Sequence, residues 1–271
     1  MNPLVSIVIV NYATPRLVTA CIRGLFTHMP RCPLQVIVVD NASPKDDVEI
    51  IKNEFPYLLL VENKKNRGFA AGVNAGLRHA EGEYILILNP DIVFRGGEID
   101  ALVEWMNAHP KVAIAGPRLL NPDHSRQMSC RRFLSVWQMM WSRRVAGKNS
   151  SYAKKISDIL LMTDFNGEKD KKVDWLLGAA LMVRQSTLAK IGGMDERFFL
   201  YFEDVDWCRR AHTMGFEVWY TPVASLIHLH AEESAQLPWW KWFLYPSARH
   251  HIASGIRYAW KWRKIPLPHN I

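Results

Sequence analysis

The chain has 271 residues, of which 49% are hydrophobic and 22% are charged, so its composition is that of a globular protein and not of a disordered or fibrous one. Its formal net charge of +8 and its pI of about 9.3 favour an anionic partner such as a nucleotide, a nucleic acid or an anionic lipid. No uncharged apolar run approaches the roughly 18 residues that span a bilayer, which excludes an integral membrane protein by this route.

The first residues and the cysteines indicate the cellular compartment of the chain. The apolar segment 4–10 lacks a basic flank and a cleavage site, and therefore it predicts a strand and not a signal peptide. The four cysteines are scattered and form no Cys-x-x-Cys pair: Cys21, Cys32, Cys130 and Cys208. We expect them to be free thiols in a reducing cytosol.

The first half of the sequence alternates short apolar runs with helical patterns. The apolar runs predict strands at 5–10, 36–39, 58–61, 84–88 and 112–115. The helical patterns lie between them, at 15–28, 44–54, 69–79 and 98–109, and Thr14 and Pro15 suit the start of the first helix. This order predicts a parallel sheet with helices on both faces.

Polar residues follow several of these strands directly. They are Asn11-Tyr12, Asp40-Asn41 and Asn89-Pro90-Asp91. Ligands bind beyond the carboxyl ends of parallel strands, and a carboxylate there can hold Mg²⁺ or Mn²⁺ together with phosphate oxygens. Asn-Pro-Asp is also ordinary turn chemistry, so the metal site and a simple turn both remain open for Asp91.

A segment rich in small residues, 66–76, enters the third predicted helix. The start of such a helix offers free N–H groups to a phosphate or a hydroxyl. The segment does not match the G-x-G-x-x-G motif, because no glycine lies two residues after Gly68. The alternative is close packing of the helix on the sheet through Gly72 and Gly76.

The second half is less regular. Residues 118–172 are basic and mixed, which suits either a mobile acceptor-side insertion or a solvated loop. A strand with a small-residue interruption is predicted over 173–183, followed by helices at 186–191 and 206–214. After the apolar run 224–227, His228 and His230 would face the same side of a strand and could be metal ligands or structural residues.

Three carboxylates, at Glu203, Asp204 and Asp206, lie among five aromatic side chains in 198–207. Burial of an acid tunes its pKa toward neutrality, as a general base requires. The same acids could simply complement the dipole of a helix start.

The tail, 238–264, combines tryptophan with basic residues. It could form an interfacial membrane helix, stack on single-stranded nucleic acid, or pack against the rest of the chain.

Taken in chain order, these segments resemble the inverting glycosyltransferases of family 2, which have the GT-A fold. The likeness spans about residues 4–230 and is carried by Ser6-Ile7-Val8-Ile9-Val10-Asn11-Tyr12, Val39-Asp40-Asn41-Ala42-Ser43, Asn66-Arg67-Gly68-Phe69-Ala70-Ala71-Gly72-Val73-Asn74, Leu88-Asn89-Pro90-Asp91 and Gly192-Gly193-Met194-Asp195 before the acidic pair. Within the family, the chain is most similar to bacterial rhamnosyltransferases of O-antigen and related cell-surface polysaccharide assembly. Segments 174–179 and 201–206 and the tail after 228 carry that narrower similarity.

The resemblance implies an α/β fold of the GT-A type, with a Rossmann-like, mostly parallel central sheet flanked by helices. It implies a nucleotide-sugar transferase domain over 1–235, within which 118–172 is a variable acceptor-side insertion. Residues 236–271 would form a helical, aromatic-basic extension that can associate with a membrane.

The resemblance also assigns the metal site. Asp91 matches the last aspartate of the family's D-x-D motif and would bind Mg²⁺ or Mn²⁺. Asn89 stands at the first position of that motif, which leaves fewer acidic ligands. His228, with His230 as the alternative, would help to hold the metal or the diphosphate.

The same comparison implies the remaining roles. Asp204 matches the catalytic base, and Glu203 would orient or polarise it. The donor-binding residues would be Asn11, Tyr12, Asp40, Asn41, Arg67, Gly68, Asn74 and Asn89. The acceptor pocket would include Trp175, Gly178 and Asp206.

The implied activity is transfer of L-rhamnose from dTDP-rhamnose to a hydroxyl of a lipid-linked saccharide. The enzyme would be cytoplasmic and peripheral on the inner face of the cytoplasmic membrane through 238–264, with a homodimer possible and no nucleic-acid partner. One alternative is a UDP-sugar donor, carrying galactofuranose or an N-acetylhexosamine. Others are a catalytically silent nucleotide-sugar binding subunit, which would need no base, and a nucleic-acid-binding protein.

Overall fold

The computed structural model describes residues 4–134, 151–229 and 246–268. The elements in chain order are β1 (Val5–Asn11), α1 (Pro15–Thr27), β2 (Leu34–Asp40), α2 (Lys45–Glu54), β3 (Leu59–Glu62), α3 (Phe69–Leu77), β4 (Tyr84–Leu88), β5 (Ile92–Val93), α4 (Glu98–Ala108), β6 (Val112–Leu120), β7 (Cys130–Arg131), α5 (Ser151–Leu161), β8 (Lys171–Lys172), β9 (Trp175–Leu176), β10 (Ala180–Arg184), α6 (Gln185–Ile191), α7 (Glu203–Thr213), β11 (Glu217–His228) and α8 (Pro246–Trp262). The predicted alternation of strands and helices over the first half is therefore confirmed.

The main sheet has nine strands, in the order β3-β2-β1-β4-β10-β6-β11-β5, with β8 paired to β11. Strands β1 to β4 run parallel to one another, and β6 runs parallel to β11. Strand β10 is antiparallel to both β4 and β6. Because β10 runs against β4, the residues just before β10 lie beside the carboxyl end of β4.

Two elements differ from the sequence prediction. The single strand predicted over 173–183 is two strands, because β9 pairs with β7 in a separate small sheet while β10 joins the main one. The small residues Gly178 and Ala179 form the crossing between them. The helix predicted from 206 begins at Glu203, where Phe202 adopts the left-handed conformation and starts the first turn.

The sheet is covered on both faces, which explains the nearly continuous apolar character of its strands. Alternate residues of β1 point in opposite directions, so Val8 and Val10 belong to a core with α3, α7 and α8. Ile7 and Ile9 belong to a second core with α1 and α4. All seven residues of β1 are buried.

Helix α3 lies close to the sheet because of its glycines. A side chain at Gly72 would place its Cβ 2.7 Å from Val10 Cγ1, and one at Gly76 would collide with Val8. The packing interpretation of these two glycines is confirmed.

The described part of the tail, α8, packs on the rest of the described structure through one face. Tyr258 and Trp262 are buried in the core that contains α7, whereas Trp260 is 62% exposed. The tryptophans Trp239, Trp240 and Trp242, His230 and the predicted boundary at 235–236 lie outside the described residues. Among the helices in the described ranges, none has the length and apolarity to cross a membrane.

Candidate functional site

The predicted site residues gather at one edge of the main sheet. Strands β1 and β2 end in register at Asn11 and Asp40. Beyond β4, the N–H of Asn89 donates to the carbonyl of Ala179 at 2.9 Å. The residue before Ala179 is Gly178, which contacts the acidic pair at the start of α7. The topology therefore brings the strand-end polar residues and the acids to the same edge.

Asp204 is a buried carboxylate held by two backbone donors. Its Oδ2 accepts from the N–H of Gly178 at 3.0 Å, and its Oδ1 accepts from the N–H of Val205 at 2.8 Å. Burial raises the pKa of Asp204, and the two N–H groups offset part of that rise. The side chain is fixed in place, and a carboxylate whose pKa is raised accepts a proton more readily, which suits the chemistry of a general base.

Glu203 lies beside this carboxylate and is 6% exposed. Burial raises the pKa of Glu203 well above its ordinary value, and the charge of Asp204 raises it further. Its Oε2 atom has no hydrogen-bond partner among the described residues. A buried oxygen in this position can accept a hydrogen bond from a hydroxyl group of a bound substrate.

The acidic pair should make the stability of the protein depend on pH. Between the ordinary pKa of a glutamate and the raised folded-state pKa of Glu203, the folded state holds more protons than the unfolded state, so stability falls as the pH rises. Replacing Glu203 with Gln should therefore raise the free energy of unfolding at pH 7.5 by about 1–3 kcal/mol. Urea unfolding at pH 7.5 and at about pH 4.5 measures this. A gain of equal size at both pH values would contradict it.

The ends of β1 and β2 form the floor of the expected donor site. Asn11 Nδ2 donates to Asp40 Oδ1 at 2.8 Å, and the N–H of Ser43 donates to Asp40 Oδ2 at 3.0 Å. Asn11 Oδ1 accepts from the N–H of Thr14 at 3.2 Å. Asn11 and Asp40 are buried, whereas Tyr12 is 53% exposed and can cover a bound ring.

A cleft of about 300 Å³ opens beside Asp40 and is lined by residues of β2, α2 and the loop after β3. Its wall includes Ser43 and Asn63, the basic residues Lys45 and Lys64, and the acidic residues Glu49 and Glu62. A volume of this size lies at the lower end of the range for small-molecule sites. Hydrogen-bonding groups and charges of both signs therefore line the cleft.

Asn41 organises the loop that closes this cleft. Its Nδ2 donates to Asn66 Oδ1 and to the carbonyl of Gly68, both at 3.0 Å. Its Oδ1 accepts from Asn63 Nδ2 at 3.2 Å. The amide of Asn41 is thus used within the protein, so its geometry favours shaping the loop over touching the donor.

The same loop docks on the segment before α7. Gly68 has a φ of 92°, and a Cβ there would lie 2.6 Å from the carbonyl carbon of Phe199, so only glycine fits. Asn74 donates to and accepts from the backbone of Met194, both at 2.8 Å. Arg67, expected to bind the donor, forms an exposed ion pair with Glu196 at 3.1 Å. Asn74 has a packing role here, whereas the guanidinium of Arg67 is accessible.

Asp91 and His228 lie together at the ends of β4 and β11. Asp91 Oδ1 is 3.3 Å from His228 Nε2, and Asn89 Nδ2 is 3.5 Å from the same nitrogen. The carbonyl of Asp91 accepts from the N–H of Leu229 at 3.0 Å, which fixes the two segments to each other. The residues that the sequence assigned to a metal site are therefore adjacent. Within the described ranges, no group of three or more His, Cys, Asp and Glu residues could hold an ion.

Gln127 is a residue of this site that the sequence analysis missed. Its Oε1 lies 2.8 Å from His228 Nδ1, and its Nε2 donates to Asn121 Oδ1 at 3.3 Å. The second bond orients the amide so that its oxygen faces the histidine and is placed to accept a hydrogen bond from His228 Nδ1. Gln127 lies in the irregular 118–172 stretch, where no periodicity or motif marks it.

The three residues expected at the acceptor pocket have different surroundings. Gly178 is next to Asp204, to which its N–H donates. Trp175 is 8% exposed, and its indole N–H donates to the carbonyl of Arg132 at 3.1 Å. Asp206 is fully buried and bonded to α8, so its position favours a structural role over contact with an acceptor.

The family of the chain follows from its sequence. Residues 6–159 match the family model described as glycosyl transferase family 2. The chain belongs to this family, and its mixed α/β architecture is the GT-A fold.

Particular relatives agree with that assignment. N-acetylglucosaminyl-diphospho-decaprenol L-rhamnosyltransferase of Mycobacterium tuberculosis is 27% identical over 253 residues, which cover 87% of this chain and 78% of the relative. dTDP-rhamnosyl transferase RfbF of Shigella flexneri is 25% identical, over 88% of this chain and 73% of the relative. The structure is similar to that of mannosyltransferase PcManGT from Pyrobaculum calidifontis, in complex with GDP-Man and Mn²⁺. That similarity has a TM-score of 0.60 at 19% identity and covers 99% of this chain and 67% of the other.

Proposed function

We propose that this chain is an inverting rhamnosyltransferase that moves L-rhamnose from dTDP-rhamnose to a hydroxyl of a lipid-linked saccharide. The observation that carries the reaction type is the buried Asp204, held by backbone N–H groups at the sheet edge that also carries the donor cleft. The choice of sugar and acceptor is supported by the names of the two relatives, each of which matches most of the chain.

The chemistry requires one displacement. The acceptor oxygen attacks the anomeric carbon on the face opposite the diphosphate, while Asp204 accepts the hydroxyl proton. The bond from the anomeric carbon to the diphosphate oxygen breaks, and that oxygen keeps the electron pair. The configuration at the anomeric carbon is inverted, so no enzyme nucleophile is needed. Glu203, with its unpartnered Oε2, is placed to orient the acceptor hydroxyl.

Asp91 and His228 would hold Mg²⁺ or Mn²⁺, which when bound neutralises negative charge on the leaving diphosphate. These two side chains suit such an ion. His228 Nδ1 is hydrogen-bonded to Gln127, which leaves Nε2 as the nitrogen that can act as a ligand, and Nε2 lies 3.3 Å from a carboxylate oxygen of Asp91. Hard cations in such sites use one or two carboxylates and take phosphate oxygens and waters for the rest. Asn89, in place of an acid, is consistent with a site of few protein ligands.

Gln127 should be needed for metal affinity. Replacing Gln127 with Leu removes the acceptor that fixes the His228 tautomer, so Mn²⁺ in the presence of dTDP should bind about 10- to 100-fold more weakly. Gln127→Glu keeps an acceptor and should bind Mn²⁺ nearly as well as the unaltered protein. Titration calorimetry or Mn²⁺ electron paramagnetic resonance measures the affinity. Equal affinity in the Leu variant would place the metal elsewhere.

A panel of radiolabelled donors tests the proposed substrate. The protein is incubated with dTDP-rhamnose or UDP-sugars and with polyprenyl-diphosphate saccharides, with Mn²⁺ present or chelated. We expect transfer from dTDP-rhamnose. Transfer only from UDP-galactofuranose or a UDP-N-acetylhexosamine would show that the donor is a UDP-sugar, and the proposed reaction type would stand. Binding of nucleotide sugars without transfer to any acceptor would support a silent binding subunit.

The outward face of α8 supports the membrane partner. Ile256 and Trp260 are 57% and 62% exposed on this helix. Arg249, Arg257 and Lys264 are exposed on the same helix and just after it. A tryptophan and cations on one face suit anionic head groups, which would bring the enzyme to a lipid-linked acceptor on the inner face of the cytoplasmic membrane.

Flotation with anionic vesicles tests this surface. The variant Arg257→Glu/Trp260→Ser should float less than the unaltered protein, because each basic group near an anionic surface contributes roughly 1 kcal/mol. Tyr57→Ser, which removes a 70% exposed aromatic ring elsewhere, is the matched control and should float normally. Equal flotation of all three proteins would exclude α8 as the contact.

A further inference from the structure

The turn that presents the catalytic base has an unfavourable backbone conformation. Tyr201 and Phe202, the two residues before the acidic pair, have φ values of 66° and 69°. Residues other than glycine, and bulky aromatic residues above all, rarely adopt this left-handed backbone conformation. Such residues persist only where the surrounding structure holds them, and they cluster at functional sites. Something must therefore hold this turn.

Helix α8 contacts this turn directly. The hydroxyl of Ser254, which is fully buried, donates to the carbonyl of Leu200 at 2.9 Å. The ring of His250 stacks on Phe199 with centroids 4.2 Å apart. The ring of His251 lies 5.2 Å from that of Phe202. One face of α8 thus covers the segment 199–202 just before the base.

The same helix also contacts an acidic residue on the other side of the base. Asp206, two positions after Asp204 and with no exposure, accepts from Trp262 Nε1 at 2.8 Å and from Lys261 Nζ at 2.7 Å. Lys261 Nζ also lies 2.7 Å from Asp195 Oδ2, on the segment that leads into the turn. The chain is held by α8 on both sides of Asp204.

We infer that α8 is a positioning element for catalysis, in which Ser254 and the Asp206–Lys261–Trp262 contacts hold the left-handed turn so that Asp204 stays bonded to Gly178. The inference rests on the proposed function of Asp204 as base. It gives the tail of this chain a role inside the active site, in addition to any role at a surface. Ser254 is the residue through which this role is tested most cleanly, because it contacts the turn but no charged group.

Ser254→Ala should lower kcat about tenfold while leaving the dissociation constant and the KM of the donor unchanged. The matched control is Thr187→Val on α6, which removes another buried hydroxyl that donates to a backbone carbonyl, that of Arg184 at the end of β10, at 2.7 Å. Thr187→Val should lower thermal stability to a similar extent and leave kcat unchanged. A loss of kcat in both variants, or in neither, would overturn the positioning role.

Two further measurements do not depend on a single rate. In a Tyr201→Asn background, where the left-handed conformation is tolerated, the Ser254→Ala change should cost less in kcat than it costs beside Tyr201. Hydrogen exchange of the Gly178 and Val205 amides should be faster in Ser254→Ala and unchanged in Thr187→Val. Unchanged exchange together with full additivity would refute the inference. If the unaltered protein transfers no sugar, the proposed function fails, and the exchange result still decides whether α8 holds the turn.

Discussion

Replacing Asp204 with Asn should lower the rate of sugar transfer by about 10²- to 10⁴-fold. The asparagine keeps the shape of the side chain and one of the two oxygens that accept from the N–H groups of Gly178 and Val205, but it cannot take up a proton. The proposed donor site lies elsewhere along the sheet edge, around Asp40, so donor binding should be unchanged. Transfer is measured with labelled donor under saturating conditions, and donor affinity by calorimetry.

The chain provides a matched control for that substitution. Asp174 is also a buried aspartate, it accepts from the N–H of Phe133 at 2.6 Å, and burial raises its pKa. Asp174→Asn should leave the rate of transfer within a few-fold of normal. A rate for Asp204→Asn above a tenth of normal, with the fold intact, would remove Asp204 as the base. Glu203→Gln would then be the next variant to test.

Replacing Asp91 with Ala should weaken metal-dependent donor binding by at least the 10- to 100-fold that loss of a supporting residue causes in metal sites. The fold should survive, because Asp91 lies at the edge of the sheet and its carbonyl, which bonds to Leu229, is retained. Calorimetry with dTDP or UDP in the presence and absence of Mn²⁺ gives the affinity. The exposed Asp164, changed to Ala, is the control.

A double substitution tests whether Asp91 and His228 act on one ion. Their side chains approach to 3.3 Å, so the losses from Asp91→Ala and His228→Ala should not add. Additive losses would mean that the two residues support donor binding independently. Affinity that is unchanged by either substitution, with unchanged dependence on Mn²⁺, would move the metal site elsewhere.

Much of the fold could be predicted because buried strands have an unambiguous pattern. The strands β1, β2 and β4 are short, apolar and followed at once by polar residues, so their order and their ligand-binding edge can be predicted from the sequence. The family resemblance added the particular roles of Asp91 and Asp204. The structure brings both residues to the predicted edge, and their catalytic roles stay predictions.

The rest depends on long-range contacts that no local pattern records. The bond between Gln127 and His228 joins residues 101 positions apart, and Gln127 lies in a stretch without periodicity. The start of α7 at Glu203 requires the left-handed conformation of Phe202, which propensity does not predict. Asp206 is buried against Trp262, which is 56 residues away in the sequence. The sequence shows only that Asp206 is close to Asp204, and for that reason Asp206 is expected from the sequence to line the acceptor pocket.

The anomeric configuration of the product tests the central claim most directly. The protein is incubated with a single anomer of dTDP-rhamnose and a polyprenyl-diphosphate saccharide, and the new linkage is assigned by nuclear magnetic resonance. A single displacement with Asp204 as base predicts a product whose anomeric configuration is opposite to that of the donor. A product that keeps the donor's configuration would contradict the account, because retention requires a mechanism other than this one displacement.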